Sequence, residues 1–193
     1  MKIKSMSRIV LSVVLSISLI TTACSAQWLS VALADLPVLT QMALNIATLV
    51  TALQSGQQIN PAEITAVQNI SAEASRDLAL LQSLYNEYKA NPNATTLQNI
   101  QNTIAKITQS LPILLQSAHV SDPTTAARLS AGVNLILTTV SSIAALMPQA
   151  TPTTSQAGVK ITVPNAKELK LQWNQLVCAP VPGHATVDAC VVR

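Results

Sequence analysis

The sequence predicts an all-α protein, an antiparallel up-down four-helix bundle with a Pro/Thr linker, a small C-terminal helix and a disulfide-closed loop. Two observations predict it. Apolar residues recur at steps of three and four along four successive segments, which is the spacing of one helix face. Helix start signals follow each segment closely, so the turns between the helices are short, and short turns favour antiparallel neighbours. We expect the bundle over residues 24–148, the linker over 149–164, and the C-terminal helix with the Cys178–Cys190 loop over 165–193.

The first two helices have start signals with a proline in the first turn. Asp35 and Asn60 each stand at an expected N-cap, and Glu63 follows the second cap by three positions, as in a capping box. Residues 27–34 form a helical lead-in, with Trp28 packed against the end of the bundle. The expected core positions are Leu39, Met42, Ile46, Leu49 and Leu53 in the first helix, and Ile64, Val67, Ala74, Leu78, Leu81, Tyr85 and Tyr88 in the second.

The third helix begins after the break at Asn91-Pro92-Asn93, because proline disfavours helical geometry at the residue before it. Asp122-Pro123 opens the fourth helix with the same device as the first, an aspartate cap and a proline in the first turn. Pro112 lies inside the third helix and predicts a kink in one continuous helix. No charged residue lies between Arg128 and Lys160, which raises the alternative of a membrane span, but a face of hydroxyl and amide side chains favours a helix buried in protein. The expected core positions are Leu97, Ile100, Ile104, Ile107, Leu111, Leu114 and Ala118, and then Leu129, Val133, Ile136, Val140, Ile143 and Met147.

The region after the linker predicts a short strand over residues 160–164 and one further helix. Asn165 is its expected N-cap, with Glu168 at the third helical position. Two roles are open for its apolar face, docking on the bundle or binding a partner through the tryptophan, and docking is favoured because amphipathic helices usually bury their apolar side against their own fold. That face consists of Leu169, Trp173, Leu176 and Val177.

The first 23 residues have the three zones of a secretory signal peptide. Residues 1–8 are basic, residues 9–20 are uncharged and apolar, and Thr21-Thr22-Ala23 supplies small side chains. The apolar run is shorter than the roughly 20 residues that a spanning helix needs. Signal peptidase I has two acceptable cuts, after Ala23 and after Ala26.

The segment Thr21-Thr22-Ala23-Cys24 resembles the lipobox of bacterial lipoproteins, in which a small residue precedes a cysteine that becomes the lipidated mature N-terminus. Thr21 stands where that motif usually has leucine. The resemblance covers residues 1–25 and implies a lipid on Cys24. Because several acyl chains anchor a protein stably, it also implies attachment to a membrane. Ser25, in place of aspartate after the cysteine, implies sorting to the outer membrane.

Charge and cysteine content narrow the class of protein. Without Lys2, Lys4 and Arg8 of the signal peptide the chain has 8 basic and 8 acidic side chains, so it lacks the basic surplus that nucleic-acid binding requires. If Cys24 is lipidated, the two remaining cysteines form an isolated pair in an oxidising compartment, and we expect them to form a disulfide.

The sequence has no evident catalytic, cofactor or metal site. His184 lies between the last two cysteines, but a zinc site needs four ligands at tighter spacings. His119 follows the third helix, where interaction with the helix dipole is sufficient to explain it. Glu73 and Asp77 share a helix face next to Arg76, as expected for a solvated pair. The four glycines are too scattered for a phosphate-binding loop, and we expect no enzyme activity.

Two functions remain open. The first is a lipid-anchored cell-envelope protein of structural or interaction type, with the membrane and an envelope protein as partners, on the periplasmic side of the outer membrane. The alternative is a secreted or periplasmic binding protein that holds an apolar ligand between its helices, where Ala74, Ala118 and Ala144 leave space.

Overall fold

The computed structural model describes residues 28–49, 60–147, 163–179 and 190–193. The regular secondary structure of these residues is helical, with no strand among them, which confirms the predicted all-α class. The helices are α1 (Trp28–Leu49), α2 (Pro61–Ala90), α3 (Ala94–Ser117), α4 (Pro123–Ala145) and α5 (Ala166–Leu176).

The predicted helix starts of α2 to α5 are confirmed by their caps. Asn60, Asn93, Asp122 and Asn165 each accept a hydrogen bond from a backbone N–H of the first turn, which satisfies donors that have no partner within the helix. Glu63 does not complete a capping box. Its carboxylate accepts hydrogen bonds from the hydroxyl and the backbone N–H of Ser121 at 2.6 and 3.3 Å.

Three contacts between helix ends define the two ends of an up-down bundle. The Trp28 ring at the start of α1 packs on Tyr85 near the end of α2, with ring centroids 5.4 Å apart. The Tyr85 hydroxyl lies 3.4 Å from the Met147 sulfur, just after α4. The Glu63–Ser121 contact joins the starts of α2 and α4 at the opposite end. Successive helices therefore run in opposite directions.

The core follows the predicted apolar spacing closely. The four described core positions of α1 are buried, as are all six residues predicted for the core of the fourth helix; Leu53 lies outside the described residues. Most of the predicted face is also buried in the second and third helices, and the residues that are only partly buried are Ile64, Tyr88, Leu97 and Leu114. The Ser71 hydroxyl of α2 donates to the Ala43 carbonyl of α1 at 2.7 Å. This contact fixes the axial position of α2 relative to α1.

Three local predictions are wrong. Asp35 does not cap a helix, because α1 runs without a break from Trp28. Asp35 is an internal residue of this helix, and its side chain is buried in the protein. Leu176 is 56% exposed rather than part of the docking face. Asp77 is buried rather than solvated. For the two aspartates, contacts with distant parts of the chain decide the environment.

The continuity of α3 agrees with the sequence. α3 is one helix that contains Pro112, and it ends at a cap residue followed by His119. The backbone of His119 has a φ of 44°, the left-handed conformation that often ends a helix. The predicted linker and most of the predicted strand at 160–164 lie outside the described residues.

Candidate functional site

The cysteine that the sequence marks for lipid attachment, Cys24, lies outside the described residues. The nearest described residue is Trp28, which is buried at the start of α1. Its ring contacts Tyr85 and also Tyr88, at a centroid distance of 5.9 Å. The predicted packing of Trp28 on the bundle end is therefore confirmed, and the chain that leads back to Cys24 leaves from this end.

The predicted disulfide between Cys178 and Cys190 is present. The Cα atoms are 5.7 Å apart and the S–S distance is 2.04 Å, within the usual geometry of the bond. Both cysteines are buried. The bond joins the residues that follow α5 to residues 190–193, which we call the disulfide segment, and it holds that segment against the bundle.

The carbonyl oxygen of Cys190 is a shared acceptor. The side-chain amide of Asn45, on α1, and the indole N–H of Trp173, on α5, both donate to it at 2.9 Å. All three groups are buried. Because buried polar groups are costly when unpaired, these two bonds fix the disulfide segment between α1 and α5.

The residues after Cys190 pair with α5. The Asn174 side chain accepts from the Val192 N–H at 3.0 Å and donates to the Val192 carbonyl at 3.2 Å. The Lys170 ammonium donates to the Arg193 carbonyl at 2.7 Å. Side chains of α5 therefore bind the backbone groups of this segment.

Arg128 of α4 binds the residues on either side of Cys178, the other half of the disulfide. Its guanidinium donates to the carbonyl of Val177 at 3.1 Å and to that of Ala179. The side chain is buried. The planar fork of an arginine suits two carbonyls at once, and here it satisfies acceptors at the end of α5, where the helix leaves carbonyls without partners.

The face of α5 packs on α4 through a close contact. Leu169, Trp173 and Val177 are fully buried, and the Trp173 ring lies over Gly132. The prediction that this helix docks on the bundle is confirmed. On its outer side α5 forms an open surface depression with the side chains of Asn165, Lys167, Glu168, Leu171 and Asn174.

Asp35 is a buried carboxylate beside the start of α5. It is 1% exposed, and neither oxygen has a hydrogen-bond donor of good geometry. Burial raises the pKa of Asp35 to about 6, and the nearby backbone N–H of Ala166 offsets part of this rise. A carboxyl group with that pKa changes charge within the range that cells experience.

Asp77 of α2 pairs with a lysine from α3. The Lys106 ammonium lies 3.0 Å from Asp77 and 3.3 Å from Glu73. Asp77 is 3% exposed, and its hydrogen bond to Lys106 raises the pKa of that lysine. The protein's own cation thus occupies the position between the two carboxylates. A lysine with a raised pKa is also unsuited to act as a base.

No metal centre is apparent in the described ranges, where no three His, Cys, Asp or Glu side chains come together. His184 lies outside those ranges. Of the alanines considered for an apolar ligand, Ala74 and Ala118 are buried in the core and Ala144 is half-buried. Their positions are those of small residues that allow helices to approach closely.

Sequence reasoning did not identify Asn45, Arg128 or the buried state of Asp35 as important. Arg128 had one usable signal, since it is an isolated charge directly beside the buried Leu129 in an otherwise uncharged helix. Asn45 and Asp35 had none, because each owes its burial to α5 and the disulfide segment, which are far away in the sequence.

Two described helices, α1 and α4, are long and apolar enough to cross a membrane by length and composition. Both contribute buried faces to the core, and core helices of soluble proteins meet the same criterion. Comparison of the chain with known protein families, with curated proteins and with solved structures gives no match.

Proposed function

We propose that the protein is exported and anchored in the bacterial cell envelope by a lipid on Cys24, where its helical bundle serves as a structural or interaction module. The observation that carries the proposal is the pairing of cysteines. Cys178 and Cys190 bond each other inside the fold, which leaves Cys24 as the odd cysteine of the chain. It is also the cysteine that follows a signal-like apolar run and a small residue.

The disulfide supports the compartment as well as the anchor. Structural disulfides persist in oxidising compartments such as the bacterial periplasm, and this one is buried among core residues. The neutral charge balance after the signal peptide argues against binding to nucleic acid. The described surface carries many amide and hydroxyl groups, which suits a protein that contacts other molecules without strong charge selection.

The mature N-terminal peptide tests the proposal directly. Cells that express the full chain are fed an alkyne analogue of palmitate, and the purified protein is digested for mass analysis. We expect a first residue of Cys24 that carries the analogue. The Cys24→Ala variant should lose the label, whereas a Cys178→Ser/Cys190→Ser double variant should keep it. A chain that begins at Gln27, or an unmodified Cys24, would contradict the anchor.

Sorting is tested with one further substitution. The lipobox resemblance implies that Ser25 directs the protein to the outer membrane and that aspartate at this position retains it in the inner membrane. Ser25→Asp should therefore shift the lipidated protein from the outer-membrane to the inner-membrane fraction. Ser25→Ala is the matched control and should stay in the outer-membrane fraction. The same fraction for both variants would contradict an outer-membrane location set by residue 25.

A further inference from the structure

One end of the bundle contains Trp28, the described residue that follows Cys24 most closely along the chain. We define the Trp28 end by Trp28, Tyr88, Met147 and the turn at residues 91–93. Ring contacts and the Tyr85–Met147 contact hold it together. The opposite Ser121 end contains the starts of α2 and α4, joined by the bond between Ser121 and Glu63.

The two ends are far apart. α3 runs from one to the other and has 24 residues. At the helical rise of roughly 1.5 Å per residue it is about 36 Å long. A group at the Ser121 end and a group at the Trp28 end therefore differ clearly in their distance from any surface that touches only one of them.

The tether between anchor and fold is short. Cys24 precedes Trp28 by four residues, and four residues span at most about 14 Å even when fully extended. Trp28 is 4% exposed and is held by two rings, so the start of α1 cannot move away from the bundle without breaking core contacts. A lipid on Cys24 must therefore keep the Trp28 end near the membrane.

We propose that the Trp28 end faces the lipid headgroups and that the bundle stands on it, with the Ser121 end directed into the aqueous compartment. This inference rests on the lipid anchor proposed above. It goes further in assigning the partner of a particular surface, a phospholipid headgroup layer, and in leaving the long sides of the bundle and the Ser121 end accessible to protein partners.

The side chains of the Trp28 end suit such a surface. Asn91 and Pro92 are exposed and uncharged. Glu87 accepts a hydrogen bond from the Thr96 hydroxyl at 2.7 Å, and Lys89 lies in the last turn of α2. The described part of this end thus carries one acid and one base, and the lysine is available to anionic headgroups, which attract basic side chains near the surface.

Two threonines provide a matched test. Thr95 and Thr124 are each the second residue of a helix, α3 and α4, and both are exposed. They lie at the Trp28 end and at the Ser121 end, respectively. Thr95→Cys and Thr124→Cys variants of the full lipidated chain are labelled with a thiol-reactive fluorophore, after peptide mapping has verified both the lipid on Cys24 and the native disulfide. Each protein is inserted into vesicles of phosphatidylethanolamine and phosphatidylglycerol whose headgroups carry a nitroxide quencher.

We expect headgroup quenching to be several-fold stronger at position 95 than at position 124. A 12-residue Gly/Ser insertion after Ala26 adds a root-mean-square reach of roughly 20 Å and should abolish most of the difference. Equal quenching at both positions in the natural-length protein, or stronger quenching at position 124, overturns the inference and leaves the anchor intact. An unmodified Cys24 in the mass spectrum overturns the anchor and the inference together.

Discussion

The indole ring of Trp173 packs directly on Gly132, so that a methyl group added at residue 132 would lie 3.0 Å from the Cζ3 atom of the ring. The ring is fully buried and its N–H is bonded to Cys190, which leaves it little freedom to move. The absence of a side chain at this position therefore determines how closely α5 approaches α4.

Gly132→Ala should destabilise the protein by about 1 kcal/mol. Alanine favours a helix over glycine by about 1 kcal/mol, but overpacking a well-packed core costs about 1–3 kcal/mol. Urea unfolding followed by far-UV circular dichroism measures the change. In a Trp173→Leu background the ring is absent, so the same substitution should instead be stabilising. If alanine destabilises equally in both backgrounds, the ring contact is not the cause.

Arg128→Met should lower the free energy of unfolding by about 2–3 kcal/mol, because it leaves the buried carbonyl of Val177 and the partly buried carbonyl of Ala179 without charged donors. Amide hydrogen exchange should rise most at the end of α5. Arg128→Lys should recover only part of the loss, since an ammonium lacks the planar fork. Arg76→Met is the control. Arg76 is exposed, and its replacement should change stability by less than about 0.5 kcal/mol.

Reduction of the Cys178–Cys190 disulfide should lower the free energy of unfolding by about 3 kcal/mol, the value expected for a loop of this size. Urea unfolding with and without a thiol reductant gives the difference. The Cys178→Ser/Cys190→Ser double variant should resemble the reduced protein and respond no further to reductant. A reductant effect that persists in the double variant would have to arise elsewhere.

Stability should fall as the pH rises through the folded-state pKa of Asp35. The folded pKa of about 6 lies above the ordinary value of 3.8, so the folded protein holds this proton more tightly than the unfolded chain. The resulting stabilisation is complete below about pH 4 and is lost as the pH passes about 6. We expect a loss of between about 1 and 3 kcal/mol from this group.

Asp35→Asn tests this contribution, because asparagine is close in shape to the protonated acid. The variant should be more stable than the natural protein at about pH 7.5, and the two should converge at about pH 4. Glu168→Gln is the control, because Glu168 is an exposed carboxyl in the first turn of α5. This variant should keep the original pH dependence. An Asp35→Asn protein with an unchanged pH profile would show that another group is responsible.

The helical fold was predictable because local signals agree with the final packing. The caps of α2, α4 and α5 use an Asn or Asp at the expected positions, and the uniform apolar spacing of the fourth predicted helix places all six of its expected residues in the core. These features depend on residues within a few turns of each other, which is the range that a sequence pattern describes.

The environments of Asp35, Asp77 and Leu176 were less predictable from the local sequence pattern. Asp35 before a proline has the local pattern of an N-cap, yet the carboxylate is covered by the start of α5. Asp77 has the pattern of a surface acid, but the packing of α3 on α2 buries it beside Lys106. Leu176 shares the apolar periodicity of α5, but the helix ends there and its side chain faces outward.

The placement of the two tryptophans gives the molecule two independent optical reporters. Trp28 lies between the rings of Tyr85 and Tyr88 at one end of the bundle, whereas Trp173 lies between α4 and the carbonyl of Cys190. Replacing either indole with phenylalanine leaves a single tryptophan, whose emission reports on the other site alone. Release of the terminal helix before the bundle melts would therefore appear as a red shift from Trp173 while the emission of Trp28 is unchanged.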